Sequence, residues 1–176
     1  VPPAAASVVN GEAVCVSAAR GPAARPRVAR IFQLVGELSE SVCQPATRAT
    51  TAMWTAVAAY FMGQPEQAIS EALRAESVLR EECAAVAYEL AVVHLAVLRS
   101  QTMLGHWSAF CRRVQEAFRE ALQRGNLYLS EALRTYTHLA CLVADDVEAS
   151  NKEVSAARRN WPQDEVHLQN LAMFGG

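Results

Sequence analysis

Proline is missing from the whole span between Gln67 and Trp161, where the only glycines are Gly105 and Gly125. So few breakers, set among abundant Ala, Leu, Glu, Gln and Arg, exclude a loop-rich middle and predict helix throughout. No alternating Val, Ile or Thr segment of useful length competes, so no sheet is expected. A bilayer-spanning run is also lacking. The apolar stretch from Ala84 to Leu98 is interrupted by Glu89 and His94. It falls short of the ~20 residues a spanning helix needs, and reads instead as a helix buried inside the protein. There is no basic excess: the net charge is -2, which argues against nucleic-acid or anionic-membrane partners. The cysteines (Cys15, Cys43, Cys83, Cys111, Cys141) never approach CxxC spacing. That pattern excludes a zinc site or disulfide framework and predicts reduced core thiols in a cytoplasmic protein.

What the chain does have is a period. Gly21, Gly63 and Gly105 lie 42 residues apart, and Asp145-Asp146 follows at nearly the same interval. A fixed spacing in this range marks a helical repeat, in which each unit is a helix pair that cannot bury its apolar face alone. At 176 residues, with 52% hydrophobic and 19% charged residues, the chain is long and apolar enough to bury a core. It begins Val1-Pro2-Pro3 without Met, and is read as a segment of a larger multidomain protein.

The expected helices cover 4–20, 23–43, 46–62, 65–81, 84–104, 106–124, 127–144 and 146–160, with a short ninth at 164–173. The first is weakened by Asn10-Gly11; in the second, Pro26 is acceptable only in the first turn. A single helix from Pro65 to Leu104 would be about 60 Å long, so a tight turn is placed at Arg80-Glu81-Glu82-Cys83. In the fourth helix Ala68, Ile69, Ala72, Leu73, Ala75 and Leu79 form an apolar side. It lies opposite Glu71/Arg74 and Glu76/Arg80, spaced as intrahelical ion pairs. The sixth repeats this scheme, with Val114, Phe118 and Leu122 against Glu116, Arg119, Glu120 and Arg124. The fifth is apolar nearly all round, as a helix between two neighbours should be. Ala56, Ala68 and Ala75 would let helices approach closely, and the spacing of the aromatics suits core packing.

Signatures of chemistry are absent. No GxGxxG or GxxxxGK[ST] phosphate loop, no HRD or DFG element, no GxSxG elbow and no HExxH pair occurs. His138 reads as a core histidine. Asp145-Asp146 has two readings, a metal or catalytic dyad and a turn that caps the eighth helix through its carboxylate; the cap is favoured. Glu89 stands in an otherwise apolar helix, and a buried carboxylate needs a partner. Arg134 is the candidate. The pair is either a structural bridge between repeats or part of a polar inner surface that Tyr128, His167 and Gln169 would join.

Four short pieces then fall in order. Leu79-Arg80 is followed by Cys83, Val86, Tyr88 and Glu89. Arg124-Gly125-Asn126-Leu127-Tyr128 leads to Leu133-Arg134-Thr135. Leu142, Ala144, Asp145 and Asp146 come next, and Trp161 precedes His167-Leu168-Gln169. From Leu79 to Leu171 the chain thereby resembles the C-terminal helical-repeat region downstream of the catalytic domain in certain large bacterial serine/threonine protein kinases. Tyr88 replaces that family's Trp, Asn126 its Asp, and Val147 its Pro. The resemblance implies a cytoplasmic regulatory or interaction segment, with ATP and Mg belonging only to a kinase domain elsewhere.

The expectation is therefore an all-α, tetratricopeptide-like right-handed α-solenoid of eight to nine helices in stacked antiparallel hairpins. It is read as one domain over 1–176: a partial hairpin at 1–21, units at 22–62, 63–104 and 105–145, and C-terminal helices at 146–176. The segment is expected to be no enzyme and to hold no cofactor or metal. Its partner would be a protein or peptide, including its own kinase domain or a second copy. Two rivals are kept: a sensor repeat of an ATP-driven transcription regulator that takes a small inducer, and a cysteine- or histidine-dependent enzyme.

Overall fold

A computed structural model describes residues 3–40 and 44–160, and among them every regular element is helical. The helices are α1 (Pro3–Arg20), α2 (Arg25–Glu40), α3 (Pro45–Phe61), α4 (Pro65–Glu82), α5 (Ala87–Leu104), α6 (Trp107–Gln123), α7 (Leu127–Val143) and α8 (Val147–Asn160). A 3-10 turn, Gly21–Ala24, joins α1 to α2. The expected ninth helix, 164–173, lies outside the described residues.

The expected first helix is present and runs through Asn10-Gly11, with Asn10 buried and open space beside Gly11. Two local expectations are corrected. α2 starts at Arg25, since Gly21–Ala24 closes into the tighter 3-10 turn. The α4–α5 break falls at 83–86 rather than 80–83: Glu81 and Glu82 stay helical, and the chain reverses where Ala85 takes φ 58°.

From Gly63 onward five corners carry a left-handed residue, and three of them share one hydrogen-bonded construction. Residues with left-handed φ stand at Gly63, Ala85, Gly105, Gly125 and Asp145, at intervals of 22, 20, 20 and 20. At Gly63 the amide bonds to the Tyr60 carbonyl at 3.0 Å and the Gln64 amide to Ala59 at 2.9 Å. Gly125 and Asp145 repeat the pattern: Gly125→Leu122 and Asn126→Ala121, then Asp145→Leu142 and Asp146→Cys141. These paired bonds satisfy the last carbonyls of α3, α6 and α7 and fix where the chain turns. From Gly63 to Gly105 the 42-residue period spans two 18-residue helices, α4 and α5, with left-handed residues at Ala85 and Gly105.

Ala85 is the corner residue least suited to that conformation, because a Cβ in the left-handed region costs about 1–2 kcal/mol and glycine avoids it. Ala85→Gly is expected to raise stability by about 0.5–1 kcal/mol, the remainder being offset by the freer unfolded chain. The denaturant midpoint reads this directly. A midpoint that falls would show that Ala85 does not carry strain.

The chain divides into two compact units, Val1–Leu104 and Gly105–Gly176. The division coincides with one repeat boundary of the sequence reading. In the first unit α3 packs most extensively on α4, α4 on α5, and α1 on both α3 and α2. Its larger core joins Ala49, Met53 and Ala56 of α3 to Ala72, Ala75 and Leu79 of α4 and to Leu90, Val93 and Val97 of α5. A second cluster brings Ala13 and Val28 together with Ala58 and Met62. In the second unit α7 packs against both α6 and α8. Phe110, Val114, Ala117 and Ala121 form the buried stripe of α6, and Leu129, Leu133 and Tyr136 are buried on α7.

The apolar sides are narrower than expected. Leu73 on α4 and Leu122 on α6 are exposed, as is Trp107 among the aromatics expected in the core. Small alanines fill the close-packed seams instead: Ala56, Ala68 and Ala75 have no accessible surface. The predicted ion pairs form, Arg74–Glu71 and Arg80–Glu76 on α4 and Arg124–Glu120 on α6. Cys83, Cys111 and Cys141 are partly buried, whereas Cys15 is exposed and so is not the core thiol expected. Cys43 lies outside the described residues.

Candidate functional site

The predicted site residues are distributed as follows. Glu89 lies in the first turn of α5 and is half-buried. There the free N–H groups at the helix start favour a carboxylate, so the reading of Glu89 as a buried charge in need of a partner is replaced by a helix-end role. Tyr128 is 51% exposed at the start of α7, beside Leu127 at 75%. Arg134 sits one and a half turns further along the same helix. His167 and Gln169 lie outside the described residues.

Arg134 is the best-organised polar group of the second unit. Its Nε donates to both carboxylate oxygens of Glu131 at 3.1 Å, and its Nη1 donates to Glu153 Oε2 at 3.2 Å. The guanidinium carbon stands 5.4 Å from the centre of the Phe118 ring, over its face. Three helices therefore converge on one side chain: α6 through the ring, α7 through Glu131 and α8 through Glu153. Burial disfavours the charge, but hydrogen bonding and attraction to Glu131, then to Glu153, outweigh it and raise the Arg134 pKa. Both of its carboxylates belong to the second unit. Two negative charges surround one positive charge, which makes this a clamp between α7 and α8 rather than an open anion receptor. Sequence reasoning missed Glu131 and Glu153. The i,i+3 spacing of Glu131 and Arg134 was a usable signal for the first; nothing local points to Glu153, one helix later.

The corner before and after this clamp is capped. Asn126 accepts from the Leu129 amide at 3.0 Å, and Asp146 accepts from the Ala149 amide at 2.9 Å. The second bond is the capping role expected of the acidic pair, carried by Asp146 while Asp145 supplies the left-handed turn residue. Around the Gly125 corner, Leu122, Leu127 and Tyr128 are all more than half exposed.

Burial lowers the pKa of His138, with the Thr135 backbone opposing the shift. Burial also raises that of the Cys141 thiol, followed by the nearby carboxylates Asp146 and Glu153 and by Cys111. Burial is the largest cause of both shifts, as expected for side chains packed on the inner side of a helix. The His138 shift has a stability consequence. The unfolded chain takes up the proton at its ordinary 6.5, the folded chain only at lower pH. Stability is therefore complete above about pH 6.5 and declines as pH falls through the window below it. His138→Gln is expected to flatten that decline in urea melts run between about pH 7 and 5. Parallel pH profiles for the two proteins would assign the titration to another group.

Among the described residues no group of three or more His, Cys, Asp or Glu is placed to hold a metal ion. Among them also, no helix is long and apolar enough to cross a membrane. Comparison with family models, curated protein sequences and solved structures returned no match for this chain.

Proposed function

We propose that the chain is a regulatory, protein-interacting helical-repeat module, the C-terminal non-catalytic part of a bacterial serine/threonine protein kinase. In this reading the successive hairpins stack as a tetratricopeptide-like right-handed solenoid. The observation that supports it most is the exposed corner of Leu122, Leu127 and Tyr128. Side chains that could bury 1.5 kcal/mol or more each, by about the usual scale, are left in water beside a rigid, charge-clamped helix pair. An aromatic and two leucines on a fixed turn suit the anchoring of a protein or peptide. The regular 20-residue spacing of left-handed corners from Ala85 to Asp145 supports the repeat reading.

The partner would be a peptide, the protein's own kinase domain or a second copy, with binding biasing the catalytic domain. The test measures binding of the folded chain to a purified kinase catalytic domain from the same polypeptide, to a peptide library and to itself. Leu127→Glu with Tyr128→Ala should weaken whichever complex forms. A folded preparation that binds none of the three would end this reading. HRD and DFG elements in the polypeptide preceding Val1 would support the kinase assignment, and a helix-turn-helix there would favour the transcription-regulator alternative.

A further inference from the structure

Charge is segregated along this chain in a way its small net value conceals. From Arg20 to Arg30 the chain carries Arg20, Arg25, Arg27 and Arg30 and no carboxylate, the acidic residues of α2, Glu37 and Glu40, falling at its far end. The four arginines gather at one place in the fold, the corner where α1 ends, Gly21–Ala24 turns and α2 begins. All four are exposed. Only Arg27 has a carboxylate partner among the described residues, Glu12 at 2.6 Å, with the two side chains 58% and 50% exposed. Arg25 donates to the Met62 carbonyl at 3.3 Å, which orients the guanidinium without neutralising it.

This arrangement works against the helix that carries it. The first turn of α2 contains no acidic residue. Cations there meet the positive end of the helix dipole, and Arg27 and Arg30 are like charges at i,i+3. Helical geometry also places Leu34, 48% exposed, on the same side as Arg27 and Arg30, flanking the buried Val28, Ile31 and Val35 stripe. A basic face next to an exposed leucine complements an acidic ligand that carries apolar side chains.

We infer that the α1–α2 corner, through Arg20, Arg27, Arg30 and Leu34, docks an acidic, leucine-bearing segment of another protein. Arginine forks are suited to carboxylates, which they can bind through two parallel hydrogen bonds. An extended polyanion fits less well. The exposed aromatics that would stack bases, Tyr88, Trp107 and Tyr128, sit on α5, α6 and α7 instead. The inference uses neither Leu127 nor Tyr128, so it stands or falls independently of the proposed function.

The test uses the whole chain and a fluorescent peptide of glutamates with interspersed leucines, followed by anisotropy. Arg27→Glu with Arg30→Glu should weaken binding at least about tenfold, equivalent to about 1.4 kcal/mol. Arg27→Gln with Arg30→Gln should give a smaller loss, and unchanged circular dichroism would confirm the fold of each variant. Glu12→Gln frees Arg27 and should tighten binding about twofold to threefold, an effect a merely structural arginine would not produce. Reversal of two exposed arginines on α6, Arg112→Glu with Arg119→Glu, should leave affinity unchanged. The inference is overturned if the α2 reversal binds the peptide as well as the parent does. It is equally overturned if oligothymidylate or phosphatidylserine vesicles bind more tightly than the peptide through the same two arginines.

Discussion

Phe110→Ala is expected to destabilise the protein by about 3–5 kcal/mol, the range for truncating a fully buried aromatic. Phe110 has no accessible surface and is the largest of the fully buried side chains. It meets Trp107 edge-on at 5.9 Å between ring centres and Tyr136 at 6.3 Å in a tilted arrangement. The residues that share its stripe on α6 are Val114, Ala117 and Ala121, too small to close over the cavity. Loss of ring packing adds to loss of burial, because aromatic pairs contribute about 0.5–1.5 kcal/mol beyond their area. Equilibrium denaturation followed by tyrosine and tryptophan fluorescence reads the effect. A shift below about 1 kcal/mol would mean that the second unit is not held by this ring.

The opposite kind of damage is expected at Ala72. It belongs to the alanine-rich core between α3, α4 and α5 and has no accessible surface. Ala72→Leu inserts three carbons into a core cluster that also holds the buried Ala49, Ala52, Ala56 and Ala75. Overpacking of this kind costs about 1–3 kcal/mol, and more where backbone must move. Ala72→Ser provides the contrast, since it adds little volume and should cost less. A variant with leucine that melts with the parent protein would show that the cluster is loose, contrary to the exclusion of solvent from all four of those alanines.

Much of this was legible in the residues themselves. Pro45 and Pro65 start helices, Gly63 and Gly125 end them, and Asp146 caps α8, because these are local effects that need no tertiary partner. What escaped was either half a period or a long-range pairing. Ala85 and Asp145 occupy the same left-handed corner as the glycines. Between Gly63 and Gly105 glycine alone therefore misses the corner at Ala85, and after Gly125 it misses the one at Asp145. Glu153 reaches Arg134 from the next helix, and no spacing rule within one helix foretells that contact. Glu89 was misjudged for a related reason: its apolar neighbours in sequence suggested burial, but the helix begins only at Ala87, so the carboxylate falls in its first turn. Leu73 and Leu122 failed as core positions because the buried stripes run through Ala68, Ala72, Ala75 and Leu79 on α4 and Phe110, Val114, Ala117 and Ala121 on α6, which leaves both leucines to one side.

The three-residue corner between α3 and α4, Met62 to Gln64, has a kinetic consequence. The most extensive interface of the first unit joins helices that are adjacent in the chain, closed at Gly63 by backbone bonds. Little loop entropy is lost before those contacts form, and chains dominated by such short-range contacts fold quickly. The α3–α4 hairpin is the natural nucleus on which α1 and α5 then condense. Leu79→Ala should accordingly slow refolding, whereas changes in α1 should mainly hasten unfolding.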